Sequence, residues 1–218
     1  MRTVAVIQAR LGSTRLPEKV LETFGGFSAI EHVYLRTRCA CFHTVVAVPA
    51  SDLKLIRALK GIGIPHFAWD GDPEDVLGRF RACAEHHHAD LVVRITADCP
   101  FVQPAHIQAI ATLARLHGNA YLGPLSGWPN GLDVHAFNSD VLHALEATDS
   151  EHVVKHIFVA QVTNVPDRSA HHWTLDTHAD LAWFRKISER VNVKPPFHPT
   201  VDELLNAIEQ EPDLGHYA

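Results

Sequence analysis

Cysteine is scarce in this chain and long apolar runs are missing. The four cysteines, Cys39, Cys41, Cys83 and Cys99, are too few and too irregularly spaced for a disulfide scaffold, and the Cys-x-Cys pair lacks the second pair that would complete a zinc site. They read as reduced thiols. No apolar stretch approaches the roughly 20 residues needed to cross a bilayer; the one around residues 44–50 ends within a strand's length. The opening MRTVAVIQAR passes directly into a strand-like segment without a secretory signal's longer apolar stretch and small-residue cleavage site, so the expected location is the cytoplasm. Excess positive charge is also absent. At a formal net charge of −6 neither nucleic acid nor a membrane surface is an expected partner, and a phosphate ligand has to be met by a local basic cluster. No Gly-x-x-x-x-Gly-Lys-Ser/Thr occurs, which argues against an ATPase of that type.

What is present has the balance of an ordinary globular protein: 46% hydrophobic and 20% charged residues exclude wholesale disorder and fibrous repeats. With no low-complexity linker and no internal repeat, the expectation is one domain over residues 1–218. Histidine is abundant at 17, yet His86, His87 and His88 fall in a helical pattern that would fan their side chains around the axis, so they read as surface residues.

Apolar, β-branched segments at residues 3–9, 44–49, 66–69 and 90–95 alternate with helical patterns, which predicts βαβ units and a mainly parallel sheet flanked by helices. Ser28 is placed to cap a helix to about Arg38, Ser51 one to about Lys60, and Asp72 or Glu74 to open one to about His87. A further helix is predicted over residues 104–117, led by Pro104. Residues 121–137 break the rhythm: Gly123-Pro124, Gly127, Pro129 and Asn130-Gly131 predict an inserted hairpin or loop before a strand-like Leu132-Asp133-Val134. Helical patterns return at 139–147 and 151–160, then a strand-like Trp173-Thr174-Leu175 precedes helices at about 178–191 and 200–209.

The first strand delivers Gln8-Ala9-Arg10-Leu11-Gly12-Ser13-Thr14-Arg15-Leu16-Pro17-Glu18-Lys19 to its carboxyl end, the edge where open parallel sheets bind ligands. Gly12 lets the backbone approach a ligand or adopt positive φ, Ser13 and Thr14 add hydroxyls, and Arg10, Arg15 and Lys19 add three positive charges. The set suits a polyphosphate; the plainer reading is a solvated surface loop. On the strand ending near Asp98, alternation puts Arg94, Thr96 and Asp98 on one face. Asp98 reads either as a metal ligand or as a turn residue, and Asp176 either as a second ligand or as the cap of the following helix. Asp70-Gly71-Asp72 has the Asp-x-Asp form that many metal-dependent glycosyltransferases use, or else forms a turn.

The run from Gln8 to Lys19 resembles the signature loop of the cytidylyltransferases that make CMP-activated acidic sugars, of the CMP-KDO and acylneuraminate type. It is most similar to the spore-coat polysaccharide biosynthesis protein F branch. The resemblance continues in order through Asp75-Val76-Leu77-Gly78-Arg79-Phe80, Val93-Arg94-Ile95-Thr96-Ala97-Asp98-Cys99-Pro100, Asn130-Gly131-Leu132-Asp133-Val134, Glu151-His152-Val153 and Trp173-Thr174-Leu175-Asp176-Thr177. It implies a three-layer α/β/α sandwich with a Rossmann-like sheet of the nucleotide-diphospho-sugar transferase type. The implied activity is transfer of CMP from CTP to an acidic sugar or related hydroxylated acid, with release of pyrophosphate. It implies Arg10, Arg15 and Lys19 as catalytic; Ala9, Arg10, Gly12, Ser13, Arg15, Lys19 and Arg79 as nucleotide-binding; Asp98 and Asp176 as Mg2+ ligands; Arg94 and His152 as acceptor contacts; and a homodimer. Asn130 and His135 stand where that family's pattern has acidic residues, which keeps open both an altered acceptor and a non-catalytic nucleotide-binding scaffold.

Overall fold

The computed structural model describes residues 1–40, 43–116, 121–122, 127–144, 159–160, 167–193, 198–211 and 214, with the backbone course alone for 121–122 and 159–160. Its strands are β1 (Thr3–Gln8), β2 (Thr23–Phe24), β3 (Phe27–Ser28), β4 (His43–Pro49), β5 (His66–Trp69), β6 (Leu91–Thr96), β7 (Tyr121–Leu122), β8 (His135–Asn138) and β9 (Val159–Ala160). Its helices are α1 (Ala29–Cys39), α2 (Leu53–Gly61), α3 (Val76–His86), α4 (Pro104–Leu116), α5 (Ser139–Ala144), α6 (His178–Arg190) and α7 (Val201–Gln210). A 3-10 turn covers Lys19–Leu21.

Seven strands form one sheet in the order β5-β4-β1-β6-β8-β7-β9. The pairs β5–β4, β4–β1 and β1–β6 are parallel, whereas β8 is antiparallel to β6 and to β7. The sheet is mainly parallel, as expected. Its strands are apolar on both faces because both are covered. Ala5, Ile7, Val46, Val48, Val93 and Ile95 pack against Ile30 and Val33 of α1, Leu55 and Leu59 of α2, and Ile107 and Ile110 of α4. The alternate residues Val4, Val6, Val45, Ala47 and Val92 pack against Val76, Leu77, Phe80 and Cys83 of α3 and Leu142 of α5. Two-residue alternation thus builds the three layers. From β1 the chain moves outward to β4 and β5, then returns to place β6 on the other side of β1. The reversal leaves a crevice at the carboxyl ends of β1 and β6.

A separate aromatic cluster holds the chain ahead of α6. Trp173 is 1% exposed, meets Phe101 edge-on at 6.3 Å and stacks on Trp183 at 6.5 Å. The predicted strand at 173–175 does not form, because its amides serve two different neighbours: Trp173 N donates to Asn130 O at 2.7 Å and Leu175 N to Asp98 O at 2.8 Å. The strand predicted at 132–134 begins instead at His135, pairing with Arg94. In the region predicted as a hairpin or loop, Leu122 pairs antiparallel with Ala136.

Helix starts also differ from expectation. Ser28 does cap α1, its N–H and hydroxyl both donating to Glu31. Asp52, not Ser51, occupies the N-cap of α2. Asp75, not Asp72 or Glu74, caps α3 by accepting from Gly78 N at 2.8 Å, while Asp72 accepts from Glu74 N within the preceding turn. Helix α3 ends at His86, and His88 has φ 50°, so the three consecutive histidines do not share one helix. Residues 159–160 are strand and not the end of a helix; residues 151–158, predicted helical, lie outside the described residues.

Gly131 has φ +95°, and a Cβ there would lie 2.5 Å from the carbonyl carbon of Trp173. Gly131→Ala is therefore expected to destabilise by about 1–3 kcal/mol, lowering Tm by roughly 3–10 °C for a chain of this size. A thermal melt checks this, and an unchanged Tm contradicts it.

Three buried histidines set an acid limit. Burial pushes His32 and His106 down to about 4, and burial with the Arg94 charge takes His135 to about 3. The unfolded chain protonates these rings near pH 6.5 and the folded chain does not, so between pH 6.5 and 4 the unfolded state binds more protons and stability falls as pH falls. The expected loss by pH 5 is about 2 kcal/mol per imidazole. Urea unfolding at pH 7 and pH 5 measures it; equal stability at the two values refutes the assignment.

Candidate functional site

The loop leaving β1 lies along the crevice. Ala9 N donates to Ala47 O, which carries the strand direction one residue further, and Leu11 N donates to the Asp52 carboxylate at 2.8 Å, tying the loop to the start of α2. Leu16 is buried, and Glu18 takes left-handed φ 58° to turn the chain into the 3-10 segment that starts at Lys19. Gly12 has no positive φ, and a Cβ there would meet nothing within 4 Å. Of the two uses open to that glycine, close approach of a ligand is the one the backbone allows.

A cavity of about 510 Å³ occupies the crevice. Its wall contains Ala9, Arg10, Gly12, Ser13, Thr14, Arg15 and Lys19 from the loop, Arg94, Thr96 and Asp98 from β6 and the turn after it, and Asp176. Four cationic side chains there face two carboxylates, a balance that favours an anionic ligand. Gln8, Val20, Val76 and Ala97 complete the wall. Gln8, which ends β1 and opens the run read in the sequence, has no role of its own there; among the described residues its buried side-chain oxygen has no hydrogen-bond partner.

Lys19 binds both aspartates, its Nζ lying 2.6 Å from Asp98 Oδ2 and 2.8 Å from Asp176 Oδ1. Arg15 Nη2 lies 3.1 Å from the other oxygen of Asp176, and Arg10 pairs with Glu74. Burial alone would pull the Lys19 ammonium down, but Asp98 and Asp176 together hold it above its ordinary value. Burial pushes Asp176 up, yet the hydrogen bond and charge of Lys19, then Arg15 and His172, bring it below the usual carboxylate range.

Neither aspartate is spent on capping. Thr177 caps α6, its Oγ1 accepting from Asp180 N at 3.2 Å, and Asp180 accepts from the amides of Asp176 and Thr177. The Asp176 carboxylate is thereby left to the cavity. Asp98 lies in the turn after β6, and its carboxylate accepts no backbone N–H among the described residues. The ammonium between them shows that both carboxylates reach one cationic centre, the donor set from which a divalent ion is commonly held. Cys99, beside Asp98, is fully buried and its thiol is pushed well up by burial, then by Asp98 and Asp133; it is an inert packing group.

Arg94 Nη1 donates to His135 Nδ1 at 3.1 Å. Since a guanidinium only donates, that nitrogen is the unprotonated one. Arg79 is not brought to the cavity wall: it is fully buried under the start of α3, and its Nη1 donates to Pro73 O at 3.1 Å. Asp70 and Asp72 are also absent from that wall. His152 lies outside the described residues.

Comparison with known proteins identifies the family. Over 96% of its length the chain is 27% identical to the spore coat polysaccharide biosynthesis protein SpsF of Bacillus subtilis, covering 95% of that protein. It is 35% identical to 3-deoxy-manno-octulosonate cytidylyltransferase of Geobacter sulfurreducens over 53% of this chain and 46% of that enzyme. The fold superposes on the structure of a cytidylyltransferase from Leptospira borgpetersenii serovar Hardjo-bovis with a TM-score of 0.86 and 22% identity, over 100% of this chain and 98% of that one. Residues 4–122, which carry the cationic loop, β6 and Asp98, match the cytidylyltransferase family, and the chain belongs to that family.

Proposed function

We propose that the cavity binds CTP with a divalent cation, specifically Mg2+, and transfers CMP to a hydroxyl of an acidic sugar or a related hydroxylated acid, releasing pyrophosphate. The setting is surface-polysaccharide synthesis. The observation that carries this reading is the meeting of three loop cations with two carboxylates not spent on helix capping, at the switch point of the sheet. Asp98 and Asp176 would hold the metal ion, which would supply charge neutralisation and lower the pKa of an acceptor hydroxyl. Arg10 and Arg15 grip phosphate oxygens with paired N–H donors, and Lys19 offers a compact charge to the departing pyrophosphate. Gly12 and Ser13 let the backbone close on the triphosphate, and Ala9 completes the nucleotide-binding wall. Arg94, on the same strand face as Asp98 but four residues back, is assigned to the acceptor's carboxylate. His152 keeps the acceptor role the resemblance suggests. Arg79 supports the wall from behind. One domain, a homodimer with residues 121–137 contributing an arm, and a cytoplasmic location complete the proposal; among the described residues no helix is long and apolar enough to cross a membrane.

The test is incubation of the purified chain with each of the four NTPs, Mg2+ and a panel of acidic sugars, reading pyrophosphate and nucleotide-linked product. CTP-dependent product is expected; turnover with a nucleotide-sugar donor instead would favour glycosyl transfer through Asp70 and Asp72. Asp98→Asn and Asp176→Asn should each lower turnover by about 100-fold or more, with circular dichroism melts little changed because Thr177 and Asp180 do the capping. Asp70→Asn should stay within about twofold, as a turn residue. Full turnover by Asp98→Asn at limiting Mg2+ would remove the metal assignment.

Arg15 is 64% exposed in its side chain, so its loss should leave the fold intact. Arg15→Ala is expected to weaken CTP binding by about tenfold, the scale of one charge-assisted hydrogen bond. Isothermal titration with CTP decides it, and an unchanged affinity takes Arg15 out of the phosphate grip.

A further inference from the structure

The Lys19 ammonium lies between the two carboxylates that would hold the metal, within hydrogen-bond distance of both. A divalent ion held by the same oxygens needs the same space, with oxygen contacts of about 2.0–2.1 Å for magnesium. One point cannot hold an ammonium and a metal together. Arg15 occupies the second oxygen of Asp176 and Arg10 is bound to Glu74, so each loop cation assigned to phosphate already has a carboxylate partner within the chain.

We propose that Lys19 is the resident counter-ion of Asp98 and Asp176 in the nucleotide-free protein, and that it exchanges these carboxylates for phosphate oxygens when the triphosphate binds. The inference rests on the reading of Asp98 and Asp176 as metal ligands. The Lys19 backbone is fixed, with its N–H donating to Leu16 O and its neighbour Val20 buried. The four-carbon side chain lies in the wall of the cavity the triphosphate enters, so rotation about its torsions suffices for the exchange. Free divalent ions must displace two short ion pairs and leave an ammonium without a partner in a site where it is only 13% exposed. A nucleotide supplies that partner, so the metal enters with the nucleotide and not ahead of it. Lys19 thereby sets the order of binding as well as gripping phosphate.

The experiment is a Mn2+ titration of the purified full chain, following the free Mn2+ signal by electron paramagnetic resonance with and without CTP and without acceptor. Without CTP, Lys19→Met should bind Mn2+ about tenfold more tightly than the wild type. Lys19→Arg, which keeps the charge, should not gain, and Asp98→Asn added to Lys19→Met should abolish the gain. With CTP, after subtraction of the Mn2+ that the same CTP takes up without protein, the wild type should bind Mn2+ tightly and Asp98→Asn should not. Should Lys19→Met melt below the assay temperature, Lys19→Gln takes its place. If neither neutral variant exceeds the wild type without CTP while the CTP complex still needs Asp98, the exchange is wrong and the ligand assignment stands. A gain that survives Asp98→Asn also overturns the exchange. If Mn2+ binding with CTP is indifferent to both Asp98→Asn and Asp176→Asn, the ligand assignment itself fails and the exchange fails with it.

Discussion

The interaction on which this structure turns is the ion triad of Lys19 with Asp98 and Asp176. It joins the loop after β1, the turn after β6 and the segment before α6, three stretches far apart along the chain. Two like charges drawn this close repel and lose hydration, so a cation between them is a condition of their proximity. The remaining contacts of the crevice are arranged around that condition. Leu175 N donates to Asp98 O, which brings the two aspartate-bearing segments together through the backbone and leaves their side chains to the cation.

Packing supplies the rigidity that the charges alone lack. β1 and β6 are paired in register from Thr3 with Leu91 to Gln8 with Thr96, so the loop and Asp98 emerge at the same level of the sheet. On the opposite side, Trp173 is wedged between Phe101 and Trp183 while Gly131 lets the neighbouring backbone approach it closely. Asp176 is thus positioned by an aromatic core three residues away, and Thr177 with Asp180 takes over the helix cap. Separating those duties leaves a carboxylate at a helix start available for chemistry, where a capping aspartate would have its oxygens occupied by amides.

Much of this was legible in the sequence because it follows from local rules. The strand read at residues 3–9, which ends at Gln8, comes from a continuous apolar, β-branched run, the shared face of Arg94, Thr96 and Asp98 from two-residue alternation, and the ligand edge from parallel-sheet topology. Less legible were the features settled by competition. Ser51 and Asp52, or Asp72, Glu74 and Asp75, are all competent to start a helix, and neighbours distant in sequence choose among them. Residues 173–175 have strand composition, but their amides are divided between Asn130 and Asp98, which no local pattern encodes. Arg79 is instructive: it lies three residues after Val76 and four before Cys83, both buried, so helical spacing already placed it on the inner face of α3, while its motif suggested the pocket.

The Arg94 side of the crevice shows how a single residue changes the electrostatics. His135 pairs with Arg94 on adjacent antiparallel strands, and burial together with the Arg94 charge keeps the imidazole neutral. A neutral ring can orient a guanidinium by accepting its N–H, but it cannot cancel the charge as a carboxylate in the same position would. Asp133 is close enough to feel Arg94, yet burial raises it against that attraction. Arg94, which reaches the cavity wall, thus has a neutral ring beside it on the neighbouring strand. The wall carries the cations Arg10, Arg15, Lys19 and Arg94 together with the carboxylates of Asp98 and Asp176. A wall so composed favours a ligand that carries more than one anionic group.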